Sequence, residues 1–230
     1  INMGELTWAK AIDNLWGMQS EILKATWETL VMLGISVPVS VFFGTLLGIG
    51  MFATGNHMLF FSPTLNKILD NVINLIRAFP FVILMVAMGP LTLLIIGKSI
   101  GPVAASLILS VSGMFYFARL VEQNLREVPR GIIEAATSMG ASPMRIIGKV
   151  LLSEARSGMV LSITVLTIGL LSYSAAAGMI GGGGLGDLAV RYGYHRFQTD
   201  VMIFIVTVLV LAVIVIQSAG NRIARKLDKR

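Results

Sequence analysis

Five stretches of this sequence carry no charged side chain: 29–56, 78–97, 99–118, 157–186 and 201–220. A helix needs about 20 residues to cross a bilayer core, and lipid offers a backbone no hydrogen-bond partners. Each stretch is long enough, so the chain is expected to fold as an all-α integral membrane protein with five transmembrane helices. The composition agrees. The chain of 230 residues is 55% hydrophobic and only 13% charged, where an average soluble domain has roughly 25%. The spans are expected at about 29–54, 70–97, 101–124, 156–181 and 200–220. They leave an N-terminal interfacial helix (1–28), a polar loop (125–155) and a basic tail (221–230).

The polar parts refine this outline. Within 1–28, Leu6, Ala9, Ile12, Leu15 and Trp16 recur at helical spacing among charges, and Trp8, Trp16 and Trp27 suit a water–lipid boundary. Glu5, Lys10, Asp13, Glu21, Lys24 and Glu28 argue against a cleavable signal peptide. Gly44 and Gly48 form a small-x-x-x-small pair that lets helices pack closely. Pro80 should bend or break the second span near its start, and Arg77 reads as an arginine reaching from the membrane edge. In 157–186 a helix should fail at the glycines Gly181 to Gly184, and 187–200 reads as a polar return loop.

The stretch with the most structural information is Glu134-Ala135-Ala136-Thr137-Ser138-Met139-Gly140-Ala141-Ser142-Pro143. It reads as two short helices joined at a break. Gly140 fits the left-handed residue that ends the first helix. Ser142 can cap the second, with Pro143 at its first position. Ala135, Ala136, Gly140 and Ala141 leave little side-chain bulk, so another protein could close over them. The residue types alone leave two readings open, a docking element for a soluble partner and an ordinary cytoplasmic loop.

Several functions are excluded. Gly97-Lys98-Ser99 lacks the earlier glycine of a phosphate-binding loop, because position 92 is threonine. Gly181, Gly183 and Gly186 match a dinucleotide fingerprint without a preceding strand. There is no cysteine, and His57 and His195 stand far apart, so no metal cluster is expected. The net charge of +6 does not suggest nucleic acid, because the basic residues gather at the ends of apolar runs. With the polar loop inside, twelve of them fall on the cytoplasmic side: Lys67, Arg119, Arg126, Arg130, Arg145, Lys149, Arg156, Arg222, Arg225, Lys226, Lys229 and Arg230. Five fall outside: Lys10, Lys24, Lys98, Arg191 and Arg196. The positive-inside rule then puts the N-terminus outside and the C-terminus in the cytoplasm. An ion-coupled transporter would need carboxylates or histidines within the spans, and the five cores hold none. A membrane enzyme would need a nucleophile–base pair or a metal site, and none is evident.

E-A-A, three residues, G, and nine more before Val150-Leu151-Leu152 resembles the EAA loop of ABC-importer permeases. Val150 stands where that motif has isoleucine and Ser153 where it has proline, so the helix after Gly140 is expected to end less sharply. Arg77-Ala78-Phe79-Pro80-Phe81 resembles a signature near the start of this span in amino-acid-importing permeases. With Tyr173-Ser174-Ala175, Gly183-Gly184-Leu185-Gly186 and Tyr192-Gly193-Tyr194, the chain from about Trp27 onward is similar to the methionine-type permeases of bacterial ABC importers. The resemblance implies a multi-pass protein of the bacterial inner membrane. It implies a homodimer with two separate ATP-binding subunits and an extracytoplasmic substrate-binding lipoprotein, importing L- and D-methionine. ATP and magnesium would sit on the partner, with no cofactor and no catalysis on this chain. It further implies that Glu134, Ala135, Ala136, Ser138, Met139, Gly140, Ala141, Ser142 and Pro143 engage the ATPase. Tyr173, Ser174 and Ala176 would line the path and gate, with Met179 or Ile180 supplying closed-state contact where Ala176 is small. A permease of this class for another amino acid, a short peptide or a sulfur compound is the alternative.

Overall fold

The computed structural model describes residues 8–57 and 59–228, apart from the side chains of Trp8 and Ala9. The expectations on Glu5, Leu6, Lys229 and Arg230, and on the side chains of Trp8 and Ala9, lie outside the described residues. Among the described residues the ordered elements are all helical. They are α1 (Trp8–Gly17), α2 (Gln19–Gly55), α3 (Pro63–Ala78), α4 (Phe81–Ala87), α5 (Gly89–Ile96), α6 (Pro102–Arg126), α7 (Arg130–Ser138), α8 (Pro143–Arg145), α9 (Leu152–Glu154), α10 (Arg156–Ala177), α11 (Gly184–Leu188) and α12 (Thr199–Leu227). Wider π-helical turns at Ile146–Leu151, Gly178–Gly182 and Ala189–Tyr194 link several of them. Four helices are long and apolar enough to cross a membrane: α2, α6, α12, and α10 continued to Gly182. The bent pair of α3 and α4 makes a fifth candidate.

The structure changes four sequence expectations. Residues 19–28 do not belong to a separate interfacial helix; the chain breaks near Gly17 and then runs unbroken as α2. Residues 19–28 contain no glycine or proline, so nothing stops the long helix from starting early. The second span, expected over 70–97, breaks at Pro80 as expected and then once more. Pro80 has no N–H and confines Phe79 to an extended ψ of 129°, which ends α3 at Ala78, and a second break follows at Met88. Residues 187–194 are not a loop. After left-handed glycines at 183 and 184 the chain coils again, buries Leu185 and Leu188, and pairs Asp187 with Arg191 at 2.9 Å. The basic tail likewise continues α12 as far as Leu227.

The chain divides into two compact units, and α2, α6, α10 and α12 each contribute residues to both. One unit comprises 1–35, 81–109 and 169–215. Its core gathers Met18 and Ala25 with Leu185, Leu188, Tyr192, Val201 and Ile205. Asn14 donates to the Asp200 carboxylate at 2.6 Å. The Tyr192 hydroxyl is held above its ordinary pKa, chiefly by its hydrogen bond to Glu21.

The other unit comprises 36–80, 110–168 and 216–230. Here the glycine pair of α2 meets α6 directly. A Cβ on Gly44 would lie 2.8 Å from the Met114 carbonyl oxygen, and one on Gly48 would lie 2.5 Å from that of Ala118. Dispersion across such close backbones drives helix association in lipid. Asn66 donates to the Met51 carbonyl at 2.7 Å and fixes the start of α3 on α2. A charged network closes the polar end of α6. The Glu122 side chain is 3% exposed and accepts from Arg119 at 2.7 Å and Arg126 at 2.6 Å, and Arg119 also reaches Asp70 at 2.6 Å. Glu122 is the buried member, while Arg126 is largely and Asp70 partly exposed, so losing either of those costs far less than breaking a fully buried pair. The network therefore fixes the helix end from which the polar elbow departs.

Candidate functional site

The elbow follows from local rules. α7 buries Ile133 and Ala136 and exposes Glu134, Ala135 and Ser138. It ends in a Schellman motif. Gly140 takes φ +75°, its N–H donates to the Thr137 carbonyl at 2.9 Å, and the Ala141 N–H donates to that of Ala136 at 3.1 Å. The next helix starts at Pro143 after an extended Ser142, as residue type requires. The Ser142 side chain does not cap it, contrary to the expectation. Pro143 has already removed one orphan N–H, and the Ser142 backbone carbonyl takes the Ile146 N–H at 3.0 Å. Beyond Arg145 the chain widens into a π-helical stretch that buries Ile146, Ile147 and Leu151, then passes through α9 and a single turn at Ala155 into α10. No proline stops it where Ser153 stands.

The surface around the break is small but carries two apolar knobs. Met139 is 81% exposed and Met144 is 69% exposed, one on either side of Gly140. Methionine adapts its shape to whatever covers it. The motif points to Met139 and not to Met144, whose one signal is an apolar side chain directly after the helix-starting proline. Behind α7, a cavity of about 480 Å³ is lined by Phe52 from the end of α2, by Asn56 and His57 just beyond it, and by Leu125, Arg126, Arg130, Ile133 and Glu134. Its lining combines both charge signs, from Arg126, Arg130 and Glu134, with an apolar wall.

The second group of residues selected from sequence lies where α10 ends. The Tyr173 ring stacks on Phe81 with centroids 4.5 Å apart and planes 5° from parallel. Ser174 is buried and its hydroxyl donates to the Leu171 carbonyl at 2.7 Å. Ala176 is half-buried, while Met179 and Ile180 are exposed. Ile180 and Gly181 leave helical geometry (φ −118° and +91°), and the chain folds back. The fold-back is glycine against backbone. A Cβ on Gly178 would strike the Asp187 nitrogen, one on Gly186 would strike the Ala175 backbone, and one on Gly182 would lie 2.7 Å from the Ala177 oxygen. The structure thus brings Tyr173, Phe81 and the glycine fold-back together in one unit. Arg77 faces the Tyr116 ring at 5.8 Å, a cation–π contact that sequence reading did not anticipate, and Pro80 makes the break after α3. Among the described residues no group of three His, Asp or Glu side chains could hold a metal ion.

Four helices long enough to cross a membrane, with the bent pair of α3 and α4 as a fifth candidate, carry an exposed glycine-broken elbow between α6 and α10. The chain belongs to the family of binding-protein-dependent transport system inner membrane components, which matches residues 44–230. Among relatives, it is 45% identical over 209 residues to a probable D-methionine transport system permease protein of Vibrio cholerae, covering 91% of this chain and 93% of that one. It is 40% identical over 212 residues to a methionine import system permease protein of Bacillus subtilis, covering 92% and 95%. Among solved structures, a chain of an inward-facing MetNI methionine ABC transporter matches with a TM-score of 0.90 and 38% identity, over 93% of this chain and 99% of that one.

Proposed function

We propose that this chain is the permease of an ATP-driven methionine importer of the bacterial inner membrane. Two copies would form the pathway, two separate ATP-binding subunits would drive it, and an extracytoplasmic binding protein would deliver L- or D-methionine. ATP and magnesium belong to the ATPase and the chain itself does no covalent chemistry. The observation that carries this reading is the elbow. A Schellman turn flanked by exposed methionines presents a compact, low-bulk surface, and relatives of similar length are named for methionine transport.

The mechanism follows from helix continuity. The elbow lies between α6 and α10, and α10 runs on to Tyr173 and the glycine fold-back. Closure of the ATPase dimer around ATP pulls on Glu134, Ala135, Ser138, Met139, Gly140, Ala141, Ser142 and Pro143, whereas Ala136, expected on this surface, is buried within the chain and backs it. That pull biases two packings that differ by a few kcal/mol, one open inward and one open outward. Tyr173 and Ala176 line the path, whereas Ser174, expected there too, is buried with its hydroxyl on the Leu171 carbonyl and supports the helix from within. Met179 and Ile180, the exposed apolar pair at the turn, close it. The N-terminus lies outside and the C-terminus in the cytoplasm, following the distribution of basic residues. A path without buried charge suits a zwitterion handed over by another protein.

The test is reconstitution with the cognate ATPase and binding protein, with ATP supplied on the ATPase side. Labelled L-methionine is expected to accumulate, and excess unlabelled D-methionine should compete with it. Accumulation of a different amino acid, a peptide or a sulfur compound, with methionine left outside, would replace the assigned cargo.

A further inference from the structure

The glycine fold-back is tied to a distant part of the chain by two side chains that nothing above uses. Glu28 and Thr29 stand at the point in α2 where its polar first turns give way to the charge-free run. The Glu28 carboxylate accepts the Gly184 N–H at 2.8 Å, and the Thr29 hydroxyl oxygen accepts the Leu185 N–H at 2.9 Å. Both donors belong to the first turn of α11, where backbone N–H groups have no partner within their own helix. Thr29 is buried, and its hydroxyl proton goes to the Ala25 carbonyl at 3.1 Å. This leaves the oxygen oriented toward Leu185. The bond to Glu28 is charge-assisted, the stronger class of backbone contact. Lys24, 3.9 Å from the other carboxylate oxygen, is largely exposed and competes weakly.

The glycines allow this approach. Gly183 and Gly184 adopt φ +75° and +82°. A Cβ on Gly183 would lie 2.6 Å from the Glu28 carboxylate, and one on Gly184 would lie 2.7 Å from the Thr29 oxygen. On the other limb, the Gly181 carbonyl accepts the Gly101 N–H at 2.9 Å. Met179 and Ile180 therefore stand just ahead of a segment held on both sides. We propose that Glu28 and Thr29 are positioning residues of the gate. Through the backbone of Gly184 and Leu185 they fix where Met179 and Ile180 stand, so that the turn moves with α2. This rests on the gate assignment made under the proposed function.

The experiment uses the whole transporter in lipid, with the wild-type chain, Glu28→Ala, Glu28→Gln and Thr29→Val. The first readout is amide hydrogen exchange in the segment spanning Gly184 and Leu185, which needs no substrate. Exchange is expected to quicken by about tenfold or more in Glu28→Ala and Thr29→Val and to stay near wild type in Glu28→Gln, whose amide oxygen still accepts. The second readout is solute accumulated per ATP hydrolysed. It should fall about tenfold in Glu28→Ala and recover in Glu28→Gln, with equal amounts of assembled complex. Unchanged exchange in Glu28→Ala would overturn the proposal. Quickened exchange with an unchanged ratio would also overturn it, as would a glutamine variant as defective as the alanine one. A wild-type transporter that ignores methionine would count against the cargo assignment and leave the exchange result standing.

Discussion

Gly186→Ala is expected to abolish most ATP-driven uptake. The added methyl would collide with the backbone of Ala175, and Gly178, packed against the Asp187 nitrogen, leaves no slack on the opposite side of the fold-back. No flexible side chain can yield at either contact, so the turn must open or α11 must shift. Overpacking of this kind costs about 1–3 kcal/mol even when neighbours can relax, and backbone against backbone lies at the upper end. Uptake should fall at least about tenfold and thermal unfolding should move to lower temperature. Gly169→Ala in α10 is the matched control. A Cβ there meets nothing within 4 Å, so uptake should stay within about twofold of wild type because alanine is a good helix former. Equal behaviour of the two variants would show that close packing of the fold-back is unimportant.

Gly140→Val should weaken the hold of the ATPase on the elbow. The residue sits at φ +75° with open space around it, so the substitution tests conformation rather than collision. A left-handed residue with a Cβ costs about 1–2 kcal/mol, and a β-branched one lies at the high end. The Schellman bonds from Gly140 and Ala141 should weaken, and valine would add bulk between Met139 and Met144. Association with the ATPase and uptake are both expected to drop about tenfold. Gly140→Asn, which tolerates the left-handed region, should keep most of both. Wild-type ATPase binding and uptake in the valine variant would remove the elbow from the mechanism.

What the sequence revealed was local. The helix stop at Gly140 needs only residues 136–141, the break at Pro80 needs only Phe79 and the missing N–H, and the failure of the helix at Gly181 needs only glycine's weak propensity. The five runs were readable because a charge within lipid is costly over any stretch of about 20 residues. Features that depend on distant chain were not readable. The start of α2 at Gln19 comes from the absence of any stop signal, whereas the polar residues there read as a boundary. Coiling over 187–194 depends on burying Leu185 and Leu188 against Met18, Ala25 and Ile205, which no local window contains. The same holds for the ties from Glu28 and Thr29, made to residues 156 positions away, and for the ring contact of Arg77. Ser142 had the right residue type for a cap, but its carbonyl serves the following helix and its side chain makes no capping bond.

The account rests on energy entering this chain from a neighbouring ATPase through the elbow. The most direct measurement places the purified chain alone in sealed vesicles under an imposed proton or sodium gradient, beside vesicles that also contain the ATPase, the binding protein and ATP. The account predicts methionine accumulation in the second set and none in the first. Gradient-driven accumulation by the chain alone would contradict it.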